Sequence, residues 1–255
     1  MTLNSSIASV CGTQLSLGGF LRRLHAQGRL GPLVREALRD QFVVEQARQA
    51  GLTVSQEELQ AEADDFRRRH GLNSTADTRA WLAARGLSAD EFEAQIEETA
   101  LAGKLRNHLT AAHVEGYFAA HAAEFDLLRL TLVVVERDDL ARELASQVRD
   151  EGRDLNTLAV EHGLALIRRE QVCKDMEGPL AEALAAAKIG DPSVPVATPQ
   201  GFVLAVLEER RPAELTAATR RRIQNELFET WLSAKMKEVT LDLDFAGNAG
   251  WPGSY

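Results

Sequence analysis

An α+β fold is predicted for this chain: a helical first half, a small α/β module and a closing helix. Three observations carry it. Residues 16–123 read as successive amphipathic helices, opened by serine caps and closed by glycines. At residue 127 the period and composition change to Leu127-Leu-Arg-Leu-Thr-Leu-Val-Val-Val135, the leucine-rich and β-branched pattern of a strand. Residues 176–211 then combine a short helix, a tight turn and two extended runs.

Taken in order, residues 6–13 are read as extended, and Ser16 as the N-cap of a helix carrying Leu17, Phe20, Leu21 and Leu24. Gly28 and Gly31 are expected to break it. A second helix is expected over 33–50. Ser55-Gln-Glu-Glu58 and Ser88-Ala-Asp-Glu91 are capping boxes that open a third and a fifth helix, with a short fourth one around Trp81 and Leu82. A sixth helical piece covers 112–123, and a domain boundary is placed near residues 124–126.

After the strand at 127–135, residues 138–151 and 154–162 read as helices and 164–172 as a strand. Pro179 opens a short helix that Gly190 closes. Pro192 and Pro195 hold residues 193–197 extended. Thr198-Pro-Gln-Gly201 is a turn, and Phe202-Val-Leu-Ala-Val-Leu207 reads as a central strand leaving the core at Glu208. Thr216 caps a long amphipathic helix to about residue 237. Residues 239–245 alternate like an edge strand, and 246–255 form a tail. The resulting division is 1–125, 126–212, 213–245 and the tail.

Composition narrows the function. The chain has 255 residues, 45% hydrophobic and 26% charged, with a formal net charge of −9. That balance opposes a phosphate-backbone partner, which needs a basic surface. The clusters Arg67-Arg-Arg-His70 and Arg220-Arg-Arg222 read as solvated helix faces. Cys11 and Cys173 lack the spacing of a zinc site or a disulfide framework and read as free thiols. His113 and His121 are eight residues apart, too far along a helix for an i,i+4 chelate. No phosphate-binding or serine-hydrolase phrase occurs, so neither cofactor nor metal is expected. No apolar run reaches the length of a membrane span, the N-terminus lacks the pattern of a signal peptide, and a cytoplasmic location is expected.

Four phrases then occur in a meaningful order: Gly12-Thr-Gln-Leu-Ser-Leu-Gly-Gly-Phe-Leu21, Leu52-Thr-Val-Ser-Gln-Glu-Glu-Leu59, Gly86-Leu-Ser-Ala-Asp-Glu-Phe92 and Val114-Glu-Gly-Tyr-Phe-Ala-Ala-His-Ala-Ala-Glu-Phe125. Together they resemble the helical chaperone domain of SurA-like proteins. The order of residues 176–211, with Thr198-Pro-Gln-Gly-Phe-Val-Leu-Ala205, resembles the C-terminal half of a parvulin-type (PpiC) peptidyl-prolyl isomerase domain. Asp154-Leu-Asn-Thr-Leu-Ala159 is similar to that family's D-F-x-x-L-A helix. The resemblance implies that the last helix returns to complete the N-terminal helical domain, a role that fits the wide stripe of Ile223, Leu227, Phe228, Trp231 and Leu232.

The same resemblance implies the site. The family's two active-site histidines align with Thr131 and Val203, so both catalytic positions are degenerate. Met176 and Leu180 match the pocket methionine and phenylalanine. The family's glycine-bearing loop is replaced by Ala165-Leu-Ile-Arg-Arg-Glu-Gln-Val-Cys-Lys-Asp175. The expected peptide-binding set is Arg129, Thr131, Met176, Leu180, Phe202 and Val203. Two readings follow: a peptide- or protein-binding chaperone or maturation factor holding an extended client, or an active but atypical prolyl isomerase. The resemblance allows as partners an unfolded protein, a metalloenzyme needing maturation, or a ribosomally made peptide handed to a modifying enzyme.

Overall fold

The computed structural model describes residues 2–185 and 187–238; the strand and tail expected beyond residue 238 lie outside the described residues. The fold class is α+β. The chain divides into two compact units, one made of residues up to 112 together with those from 224 on, the other of residues 113–223.

The first unit begins with a hairpin of β1 (Ser6–Val10) and β2 (Thr13–Ser16). Its two turn residues, Cys11 and Gly12, stand at φ 50° and 79°, the left-handed pair that matches the twist of a tight hairpin. Sequence reading gave an extended segment here without the second strand. Ser16 ends β2 and caps α1 (Leu17–Ala26), its Oγ accepting from Gly19 N–H. Then come α2 (Leu30–Gln49), α3 (Gln56–Arg69), α4 (Thr75–Arg85) and α5 (Ala89–Thr110).

Both expected capping boxes are formed, at Ser55 with Glu58 and at Ser88 with Glu91. Gly28 ends α1 at φ 68°, but Gly31 breaks nothing: it lies with Pro32 in the first turn of α2. There the backbone N–H groups have no intrahelical acceptor, so proline costs no hydrogen bond.

Two apolar clusters hold this unit. Val43, Val44 and Ala47 of α2, Leu101 and Leu105 of α5, and Phe228 and Leu232 of a last helix α10 (Ala217–Met236) form one. Ala63, Phe92 and Ile96 form the other, flanked by Phe66 and Trp81. Phe66 meets Trp81 and Phe92 edge-on at 5.2 Å between ring centroids, a geometry that aligns the positive ring edge with the negative face. Arg67, Arg68 and Arg69 are taken up by Asp64, Asp65 and Glu62 of their own helix.

The second unit opens with a 3₁₀ turn (Ala111–His113) that runs into it, α6 (Val114–His121) and a further 3₁₀ turn (Ala122–Phe125), where one helical piece was expected. β3 (Leu127–Val135), α7 (Asp138–Glu151), α8 (Leu155–Glu161), β4 (Leu166–Val172), α9 (Gly178–Ala185), β5 (Val196–Thr198) and β6 (Gly201–Arg211) follow. The four strands form one antiparallel sheet in the order β4-β3-β6-β5.

β6 runs four residues beyond the expected exit at Leu207. A charge ladder holds the extension, in which Arg129 bridges Glu170 and Glu209 while Arg211 bridges the same two carboxylates. The sheet is covered on both faces. Val133 and Val135 of β3 and Leu204 and Val206 of β6 pack on Ala141, Leu144 and Leu158 of α7 and α8. Leu128, Leu130 and Leu132 of β3 and Ala205 and Leu207 of β6 pack on Leu184 of α9.

Candidate functional site

Successive side chains of a strand point to opposite faces of its sheet, and this alternation decides which of the expected site residues meet. On the α9 face, Val203 joins Met176, Leu180 and Cys173 at the margin of the leucine cluster, all partly buried. On the other face, Phe202 packs with α7 and α8. Thr131 is only 2% exposed and is paired with Arg168 and Val206. With Arg129, Asn156, Arg168, Glu208 and Glu209 it lines a polar cleft of about 320 Å³. The structure thus brings together Met176, Leu180 and Val203, and keeps Arg129, Thr131 and Phe202 apart from them. The β3 side chains on the Met176 face are Leu128, Leu130 and Leu132.

Local structure fixes the notch. The 3₁₀ turn Cys173–Asp175 is tied to the start of the sheet by Cys173 N–H donating to Asp126 O at 2.8 Å, and Met176 N–H donates back to Cys173 O at 3.1 Å. Gln171 Nε2 donates to Asp175 O at 2.6 Å. Gly178 then takes φ 72°, reversing the chain into α9, whose Leu180 and Leu184 are one turn apart and share a face. Beyond α9 the segment before β5 is stitched to β6: Ser193, 1% exposed, donates its N–H to Ala205 O and accepts from Ala205 N–H on its Oγ.

Ion pairs flank these residues in the chain. Arg222 grips both oxygens of Asp175, and this guanidinium holds the Asp175 carboxyl below its usual range against the smaller opposing effect of burial. Lys174 reaches Glu124 at 2.8 Å and Tyr117 at 3.2 Å, and the Glu124 carboxyl is held low first by Lys174 and then by His121. Arg220 pairs with Glu115, so two members of the second arginine cluster are bound within the chain. The hydrophobic side chains that meet here are hydrocarbon apart from the thioether of Met176 and the thiol of Cys173. No group of three or more His, Cys, Asp or Glu side chains suited to a metal ion occurs among the described residues.

Among the solved structures similar to this chain are PrsA proteins and SurA-like chaperones. The chain is similar to the peptidylprolyl isomerase PrsA of Bacillus cereus, at 15% identity over 98% of this chain and 96% of that one, with a TM-score of 0.48. It is similar to PrsA of Bacillus anthracis at 15% identity, covering 82% of this chain and 99% of that one, TM-score 0.45. One of the two Campylobacter jejuni proteins PEB4 and Cj1289, described as SurA-like chaperones, is similar at 11% identity over 89% and 90%, TM-score 0.27. No protein-family model and no curated protein sequence matches the chain.

Sequence reading missed Leu130 and Leu132 as the strand residues of the notch face. A signal for them exists, since in Leu128-Arg-Leu-Thr-Leu132 the polar residues alternate with the leucines and place all three leucines on one face. The ties made by Ser193, Asp126 and Arg222 span long loops and left no local signal.

Proposed function

We propose that the second unit is a binding module for an extended peptide or an unfolded-protein client, which seats a small apolar side chain or a proline between Met176, Leu180 and Val203. The observation that carries this reading is the chemistry of the notch. Rotation about a prolyl amide faces a barrier of about 18–20 kcal/mol, and lowering it calls for polar groups aimed at the twisting bond. Met176, Leu180 and Val203 offer apolar contact, and Thr131 and Val203 stand where the isomerase pattern has histidines, which supports holding over turning. No helix of the described residues is long and apolar enough to cross a membrane. Cys11 is exposed and Cys173 is free, a thiol state that suits a reducing compartment, and the cytoplasm is proposed as the place of work.

Two measurements test the proposal. Relaxation of a proline-containing tetrapeptide between cis and trans should run at its uncatalysed rate in the presence of the protein. A neutral, apolar extended peptide should bind, and Met176→Asp or Leu180→Asp should weaken it by roughly 1–3 kcal/mol, the worth of one buried apolar side chain. Acceleration of the isomerisation that disappears in Met176→Ala would establish the alternative, an atypical prolyl isomerase.

A further inference from the structure

The first unit holds a cleft of about 450 Å³ among α2, α5 and α10, with polar and apolar side chains mixed in its lining. Gln95, Glu98, Thr99, Ala102 and Arg106 fall three, four, seven and eleven positions apart along one face of α5, with the small Ala102 giving depth in the middle. Val43 and Val44 of α2 and Phe228 and Leu232 of α10 make apolar walls. Arg39 and Glu229 close one rim as an ion pair. A second cleft, of about 850 Å³, shares Asp40, Val44 and Glu98 and continues along α2 from Ala37 to Arg48.

Arg106 is the unusual residue. Its guanidinium carbon lies 5.3 Å from the centre of the Phe228 ring. Its Nε is shut off from solvent and has no acceptor, and no ion pair or side-chain hydrogen bond of Arg106 occurs among the described residues. Buried polar groups are rarely left so, since each carries a desolvation cost that a partner normally offsets. Held by a ring face, this cation has no carboxylate competing for its remaining donors. The carboxylates of Asp40 and Glu98, at the junction of the two clefts, likewise form no ion pair among the described residues.

The geometry points to an extended, apolar and basic peptide segment as the occupant of this groove, with a main-chain carbonyl on Arg106, an apolar side chain against Phe228 and Leu232, and a lysine or arginine at Asp40 and Glu98. The charges select this class. Along the two clefts Arg106 and Arg48 are cations without an ion pair among the described residues, against the carboxylates of Asp40, Glu98 and Glu45; the excess of carboxylates favours a neutral acceptor over an anion at Arg106 and a cation at the junction, and a −9 chain attracts basic segments at longer range. The length fits as well: α2 rises roughly 16 Å from Ala37 to Arg48, the span of about five extended residues. The inference stands on Arg106 and is independent of the notch beside Met176.

Fluorescence anisotropy of labelled ten-residue peptides with the intact chain tests it, using alternating Leu-Lys, Leu-Ser and Leu-Glu sequences. The Leu-Lys peptide should bind most tightly, and Arg106→Leu should weaken it about tenfold while leaving the melting temperature unchanged or higher, because a buried donor without an acceptor has been removed. Asp40→Asn with Glu98→Gln should bring Leu-Lys affinity down to that of Leu-Ser, and Met176→Asp should leave Leu-Lys binding in place. A merely structural Arg106 would lower the melting temperature and spare affinity, which would overturn the inference. Equal binding of Leu-Glu and Leu-Lys would overturn it too. Loss of all binding in Met176→Asp with none in Arg106→Leu would refute the groove while sparing the notch; the reverse would refute the notch alone.

Discussion

At Gly201 the backbone stands at φ 126°, and a Cβ built there would come within 2.6 Å of Val135 O. Two penalties coincide, a conformation that L side chains rarely adopt and a clash with backbone that cannot swing away. Gly201→Ala should therefore destabilise the second unit by roughly 2–3 kcal/mol, read as a shift of its denaturation midpoint. Asp175 offers a gentler test. Its carboxyl is held below the usual value of 3.8, by Arg222 first. A depressed folded-state pKa adds stability that is present above the unfolded value and is lost as pH falls through the folded one. Both side chains are substantially exposed, so the pair is worth no more than about 1 kcal/mol. Asp175→Asn should lower stability by up to that amount at neutral pH, and the two proteins should converge in acid, below the range where the wild-type carboxylate titrates. A difference that persists after protonation would mean that Asp175 acts through packing.

Among the elements, the helix starts were legible and the sheet faces were not. A serine followed three residues later by glutamate states its own geometry, and both capping boxes stand where the sequence put them. β3 is different because helices cover it on both sides. From Leu130 to Val133 every residue is buried, and a strand buried on both faces reads as an almost unbroken apolar run. Aligning Thr131 with a catalytic position and grouping it with Met176 treated that run as one surface. A change of one position along a strand moves a side chain to the opposite face, which is why Arg129 and Thr131 line the polar cleft by α8. Val203 falls on the Met176 face, its register with Val196 fixed by the turn before it, Thr198 to Gly201. The Arg106 groove had no local signature at all, being assembled from three helices far apart in sequence.

In the whole molecule, the last helix is an element on which the first unit depends. Phe228 and Leu232 are 3% and 2% exposed in the same cluster as Val43 and Leu105. Phe228→Ala should destabilise that unit by about 3–5 kcal/mol, and removal of residues 224–255 should abolish its cooperative melt while the second unit, residues 113–223, keeps its own. A truncated chain whose helical unit still melts cooperatively would show that α2 and α5 suffice.

The split membership of the first unit has a consequence in time. A ribosome makes residues 1–112, then the entire sheet-bearing unit, and only afterwards the helix that carries Phe228 and Leu232. The middle of the chain can fold as soon as it emerges, because its own core lies within residues 113–223. The beginning waits longer, with Val43, Val44, Leu101 and Leu105 uncovered by Phe228 and Leu232 until α10 has been made. A protein proposed to hold the unfinished chains of others thus passes through a stage in which its own first half is such a chain.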